Sequence, residues 1–163
     1  LRDRGSLTQF SINLVGGVDE SVRMGIAEAG LEDVVEIVPY VSHSEAVQIM
    51  RNSNLLLLII ETFPHNAGMI TGKLYEYLAS ERPVLGIGPP TGDAARLLEK
   101  TSAGRVFSQD DIDGLAGYLL NAYEAWDEGR ELSGVQRSDL TNYTRKAQAA
   151  QLGNVISEAI SDA

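Results

Sequence analysis

The chain has no cysteine in its 163 residues. That excludes disulfides, thiolate nucleophiles and cysteine-based zinc sites, and permits a reducing compartment without requiring one. Histidine is almost as scarce, and His43 and His65 are too few for a histidine-rich metal centre. Long apolar runs are missing too: none approaches the roughly 18 residues that span a bilayer, and the start Leu1-Arg2-Asp3-Arg4 has no signal-peptide pattern, so a soluble, cytoplasmic protein is expected. Positive charge is in deficit, with 13 basic against 23 acidic side chains and a formal charge of -10. The basic residues do not cluster, so the chain repels nucleic acid phosphates. Neither the G-x-G-x-x-G fingerprint of nicotinamide and flavin dinucleotide sites nor the Walker pattern is present; Gly72-Lys73 is followed by leucine and lacks the upstream phosphate-loop glycine. Internal repeats, low-complexity linkers and coiled-coil heptads are also missing, so residues 1–163 read as a single domain.

What is present is an alternation of strands and helices. Strand signals fall at 11–15, 34–38, 54–60, 84–87 and 104–107, the third a continuously apolar run of the kind buried on both faces. Between them the spacing predicts helices at 19–29 with Asp19 as cap, at 43–52, at 72–80 and at 94–100. Ser42 and Glu45 form the Ser-x-x-Glu capping pattern, and Asp93 reads as the cap of the helix beginning at Ala94. A long helix covers about 111–128, with Ile112, Leu115, Ala116, Leu119, Tyr123 and Trp126 on one face, and a second covers about 139–161, with Leu152, Ile156 and Ala159 on an apolar stripe. This succession indicates an α/β fold: a three-layer, Rossmann-like open parallel sheet with helices on both faces. Ligands of such sheets bind beyond the carboxyl ends of the strands. That rule selects Gly16-Gly17, residues 39–42, residues 61–71 and residues 88–93 as the residues expected around one cleft.

The most informative segment runs from residue 54 to residue 89: an apolar strand, the polar loop Glu61-Thr62-Phe63-Pro64-His65-Asn66-Ala67-Gly68, and a short helix. A helix entered from such a loop offers unpaired N–H groups and a positive dipole end, which suits a diphosphate. Met69, Ile70, Thr71 and Gly72 could supply those amides, with Gly72 allowing close approach. Lys73 and Glu76, three apart, face one side of the helix. Lys73 would neutralise an anion, or is an ordinary solvated surface lysine. The two oxygens of Glu76 would accept both hydroxyls of a ribose, or the carboxylate only favours the helix dipole. Gly16-Gly17 reads equally as a tight turn or as a phosphate-facing loop. Glu61 and His65 could meet a transferred sugar or serve as local caps, and Asp93 could also touch ligand.

The run Gly72-Lys73-Leu74-Tyr75-Glu76-Tyr77-Leu78-Ala79-Ser80-Glu81-Arg82-Pro83-Val84-Leu85 resembles the C-terminal, donor-binding half of GT-B fold glycosyltransferases of the group-1, family 4-like set. Gly92-Asp93-Ala94-Ala95-Arg96-Leu97-Leu98-Glu99 followed by Ala103-Gly104-Arg105-Val106 resembles the next elements of that domain, and the likeness covers about residues 15–120. The resemblance implies transfer of a sugar from a nucleotide diphosphate-sugar, generally with retention and without an essential metal or other cofactor. It implies ribose binding by Glu76, and diphosphate stabilisation by Lys73 and the amides of residues 69–73, with Gly16 and Gly17 nearby. The family's donor domain carries two glutamates eight positions apart; Glu76 matches the second, but the first falls on Gly68, and Glu61 does not take its place by spacing. A basic residue near the first strand is also missing, with Arg23 a weak stand-in.

The resemblance further implies a partner: an N-terminal, acceptor-binding domain not contained in this sequence. Without it the chain is expected to be inactive, and the full enzyme has scope for peripheral membrane association. The rival readings are a non-enzymatic nucleotide-binding or interaction domain, and half of a GT-B-like sugar-nucleotide epimerase.

Overall fold

The structure is a computed structural model that describes residues 10–63, 66–130, 132 and 137–161. It resolves into two compact units, one ending at Ile49 and one beginning at Met50. The first unit holds β1 (Ile12–Val15), α1 (Glu20–Glu28), β2 (Val35–Val38) and most of α2 (His43–Asn52). β1 and β2 pair in parallel, with Ile12 opposite Val35 and Val15 opposite Val38. Asp19 stands at the N-cap position of α1, but its side chain makes no capping hydrogen bond. At α2 the capping box forms: the Ser42 amide donates to Glu45 Oε2 at 2.8 Å and the Glu45 amide to Ser42 Oγ at 3.3 Å. These hydrogen bonds from Ser42 hold the Glu45 carboxyl below its ordinary pKa.

The second unit contains β3 (Leu56–Ile59), α3 (Gly72–Ala79), β4 (Val84–Ile87), α4 (Asp93–Lys100), β5 (Gly104–Phe107), α5 (Ile112–Asp127) and α6 (Arg145–Ser161). Its sheet is parallel in the order β3-β4-β5. Register aligns Leu56, Val84 and Gly104 in one row across the three strands, and Leu58, Gly86 and Val106 in another, with Val84 and Gly86 in the middle. These side chains form one face, and on it Leu74 and Leu78 of α3 and Ala94, Leu97 and Leu98 of α4 close a continuous buried core. The interdigitation is tight enough that a methyl group on Gly104 would overlap the carbonyl oxygen of Val84. The other face carries Leu85 and Phe107, both buried, and Phe107 meets Tyr118 of α5 edge-to-face with ring centroids 5.7 Å apart. Helices therefore lie on both faces of this sheet.

Three expectations need correction. The strands form two hydrogen-bonded sheets, β1-β2 and β3-β4-β5, rather than one. The apolar run at 54–60 is not buried on both faces: Leu56 and Leu58 are buried, but Leu57 and Ile59 are 37% and 66% exposed. Ladder bonds on β3 alternate in direction, so Leu57 addresses the edge away from β4. There the Tyr77 hydroxyl donates to the Leu57 carbonyl at 3.3 Å. Burial, and secondarily the Glu76 carboxylate, push the Tyr77 pKa up, so that hydroxyl keeps the proton it donates. On α5 the inward residues include Tyr118, Ala122 and Ala125, while Ile112, Ala116 and Trp126, from the face read as one apolar stripe, are exposed. Asp111 is the cap of α5 and accepts from the Gly114 amide at 3.0 Å.

The C-terminal segment returns to the core, where Leu140 and Tyr143 of a 3-10 turn, Arg137–Tyr143, pack against the cluster. The stripe Leu152, Val155, Ile156 and Ile160 on α6 is exposed. No helix among the described residues is long and apolar enough to cross a membrane.

Candidate functional site

β3 delivers the chain to the candidate site. After Ile60 the backbone leaves the sheet through Glu61, which is exposed. His65 lies outside the described residues. A 3-10 turn, Asn66–Gly68, then leads to Met69, Ile70 and the N-cap Thr71. Leu74 and Leu78 anchor α3 with essentially no exposed surface, which fixes the opposite face of the helix toward solvent. Lys73 and Glu76 stand on that outer face, both exposed. Neither side chain forms an ion pair or hydrogen bond with another described side chain.

The first turn of α3 is left open. Thr71 has the extended backbone of an N-cap residue (φ -82, ψ 153), yet its side chain makes no capping bond. Its hydroxyl is buried and has no partner among the described residues. Leu74 donates to the Thr71 carbonyl at 3.1 Å, while the amides of Gly72 and Lys73 have no described acceptor. The arrangement can therefore accept an anion at two amides, with an ammonium group and a carboxylate within one helical turn. A side chain at Gly72 would meet no atom within 4 Å, so the space beside this residue is open.

The turn beside this helix start approaches α4. A Cβ on Gly68 would lie 3.5 Å from Asp93 Oδ2. Asp93 is not the cap of α4: Gly92 holds that position, and Asp93 is the first helical residue, paired with Arg96. Arg96 also donates to the Thr91 carbonyl at 2.7 Å, which ties the 88–93 loop to the helix. The 66–68 turn and the 91–93 loop, both selected by the carboxyl-end rule, thus meet in the second unit.

Gly16 and Gly17 belong to the first unit, and the glycine at position 16 has a local cause. Gly16 has φ +112, a conformation side chains disfavour, and a Cβ on Gly17 would stand 2.9 Å from the Tyr40 hydroxyl. The Tyr40 atom nearest Gly17 is the tip of a side chain that is 85% exposed, so the backbone of Gly16 is the one local requirement for glycine here. Met69 is 40% exposed, whereas Ile70 turns its side chain to the core. The unpartnered Thr71 hydroxyl was not singled out from sequence, although a threonine directly before a helix is the available signal. Among the described residues no group of three histidine, aspartate or glutamate side chains is placed to hold a metal.

Comparison with known protein families gives no matching family model, and comparison with curated proteins gives no match. What the structure defines is a class: an α/β domain with small parallel sheets flanked by helices, a generic Rossmann-like arrangement of the nucleotide-binding type.

Proposed function

We propose that the chain is the donor-binding part of a glycosyltransferase and holds a nucleotide diphosphate-sugar at the start of α3. The observation that carries the reading is the open first turn: an unpartnered, buried Thr71 hydroxyl and unaccepted Gly72 and Lys73 amides beside the exposed side chains of Lys73 and Glu76. On this reading the diphosphate sits on the amides of residues 69–73, and Lys73 offsets its charge as the nucleotide departs. Glu76 accepts from the two ribose hydroxyls. Asp93, beside the position where Gly68 lacks a carboxylate, faces the sugar together with Glu61. Catalysis then consists of orientation and leaving-group stabilisation, and the acceptor is supplied by a further N-terminal domain.

The test is calorimetric titration of the chain with UDP, GDP, TDP and their sugars. Glu76→Gln should lower affinity for the preferred diphosphate more than about tenfold, or roughly 1.4 kcal/mol. Asp93→Asn should weaken only the sugar-bearing ligand. A folded Glu76→Gln protein with unchanged affinity removes Glu76 from the site, and turnover to an altered nucleotide-sugar without an acceptor replaces transfer by epimerisation.

A further inference from the structure

A cavity of about 400 Å³ lies on the side of α3 away from Lys73 and Glu76, between that helix, α4 and the C-terminal segment. Its volume falls in the about 300–1,000 Å³ range typical of small-molecule sites. Ile70 and Leu97 supply apolar lining where the cavity adjoins the core. Around them stand Tyr75, Tyr143, Lys100, Asn142, Gln148 and Gln151.

The charge of this lining departs from that of the molecule. The chain carries a formal charge of -10, yet the cavity is bordered by one ammonium group and no carboxylate. Lys100 is exposed, with its Nζ 6.0 Å from the centroid of the Tyr143 ring, within reach of a ligand in the cavity. Three carboxamides each offer donors and an acceptor, the complement of a ligand with several hydroxyl groups. Two tyrosine rings and two aliphatic side chains offer surfaces on which the C–H face of a pyranose ring can lie.

We propose that this cavity is a saccharide site for a pyranose bearing a carboxylate, a hexuronic acid residue, separate from the nucleotide position on the outer face of α3. One lysine matches the single charge of a carboxylate. A phosphate, with up to two charges, would call for a guanidinium or free helix amides, and the lining has no arginine. The α6 amides nearest the lining are taken, Ala147 donating to Thr144 Oγ1 at 3.2 Å and Gln148 to the Thr144 carbonyl at 2.9 Å, and neither Arg145 nor Lys146, whose amides have no described acceptor, lines the cavity. In the proposed pose the carboxylate pairs with Lys100, the carboxamides of Asn142, Gln148 and Gln151 bond the ring hydroxyls, and the sugar face lies on tyrosine.

The test is a nitrogen-15 NMR titration of the whole chain with a glucuronate-containing disaccharide, its neutral glucose counterpart and inorganic phosphate, all without nucleotide. The uronate disaccharide should shift the side-chain NH₂ signals of Asn142, Gln148 and Gln151, leave the backbone amides of Gly72 and Lys73 in place, and bind about two- to fivefold tighter than the neutral sugar at low salt. Lys100→Met should abolish that preference while neutral sugar still binds; Lys100→Arg should keep it; Gln148→Ala should weaken both sugars. Absence of shifts at these carboxamides, equal affinity for the two sugars, or tighter binding of phosphate would overturn the proposal. Because the monitored signals differ from those of the nucleotide position, failure of either site is read independently of the other.

Discussion

At the scale of single residues, the account depends on a few side chains with no alternative partner and on one glycine with no alternative size. The Thr71 hydroxyl is buried and unpartnered where most such groups are satisfied. Leaving such a group unpaired costs about 1–3 kcal/mol. Gly104 is constrained by steric overlap, since any Cβ would collide with the Val84 carbonyl that flanks β5. Gly104→Ala should therefore destabilise the chain by about 3 kcal/mol or more in urea unfolding. An alanine variant as stable as the parent would show that β5 does not hold its described register against β4.

At the scale of elements, the strands and helices were largely legible. The limits predicted for β4 and β5 match the observed ones, because a proline before β4 and a glycine at the start of β5 punctuate strongly apolar runs. The capping box of α2 was equally plain, because Ser42 and Glu45 act on each other across three positions. Failures occurred where tertiary pairing decides. The apolar run in β3 looks the same whether one face or two are covered, and only the register shows Leu57 and Ile59 directed to the face they occupy. On α5 helical periodicity alone could not choose between neighbouring stripes, and the contact of Tyr118 with Phe107 selects the one carrying Ala122 and Ala125. The cap also yields a test with a definite sign. The Glu45 carboxyl is held below its ordinary pKa by Ser42, so its contribution to stability is complete above the usual glutamate range and is lost as pH falls through its folded-state pKa. Ser42→Ala, which removes a serine N-cap, should cost about 1 kcal/mol at neutral pH. The same variant should show a shallower loss of stability on acidification, measured by thermal unfolding between neutral pH and pH about 3. An unchanged acid profile would mean that the box contributes nothing to that dependence.

At the scale of the whole molecule, the candidate site combines parts that the sequence read well and parts it read poorly. Lys73 and Glu76 were recognisable because three-residue spacing on a short helix sets them on one side, and the buried Leu74 and Leu78 leave that side to solvent. That the Asn66–Gly68 turn lies near the 88–93 loop was expected from the rule that ligands bind beyond the carboxyl ends of the strands; the particular approach of Gly68 to Asp93 was not, because it depends on the packing of α4. For Gly16 and Gly17 the motif was visible, and the positive φ of Gly16 is the local requirement for glycine that the fold adds. The central claim is that a nucleoside diphosphate docks on the open first turn of α3. Its most direct test is a nitrogen-15 NMR titration of the chain with UDP, GDP and TDP, following backbone amides. The account predicts that at least one of them produces its largest shifts at Gly72 and Lys73, with Glu76 responding to the ribose. Saturable binding that moves other amides and leaves Gly72, Lys73 and Glu76 unchanged would contradict it.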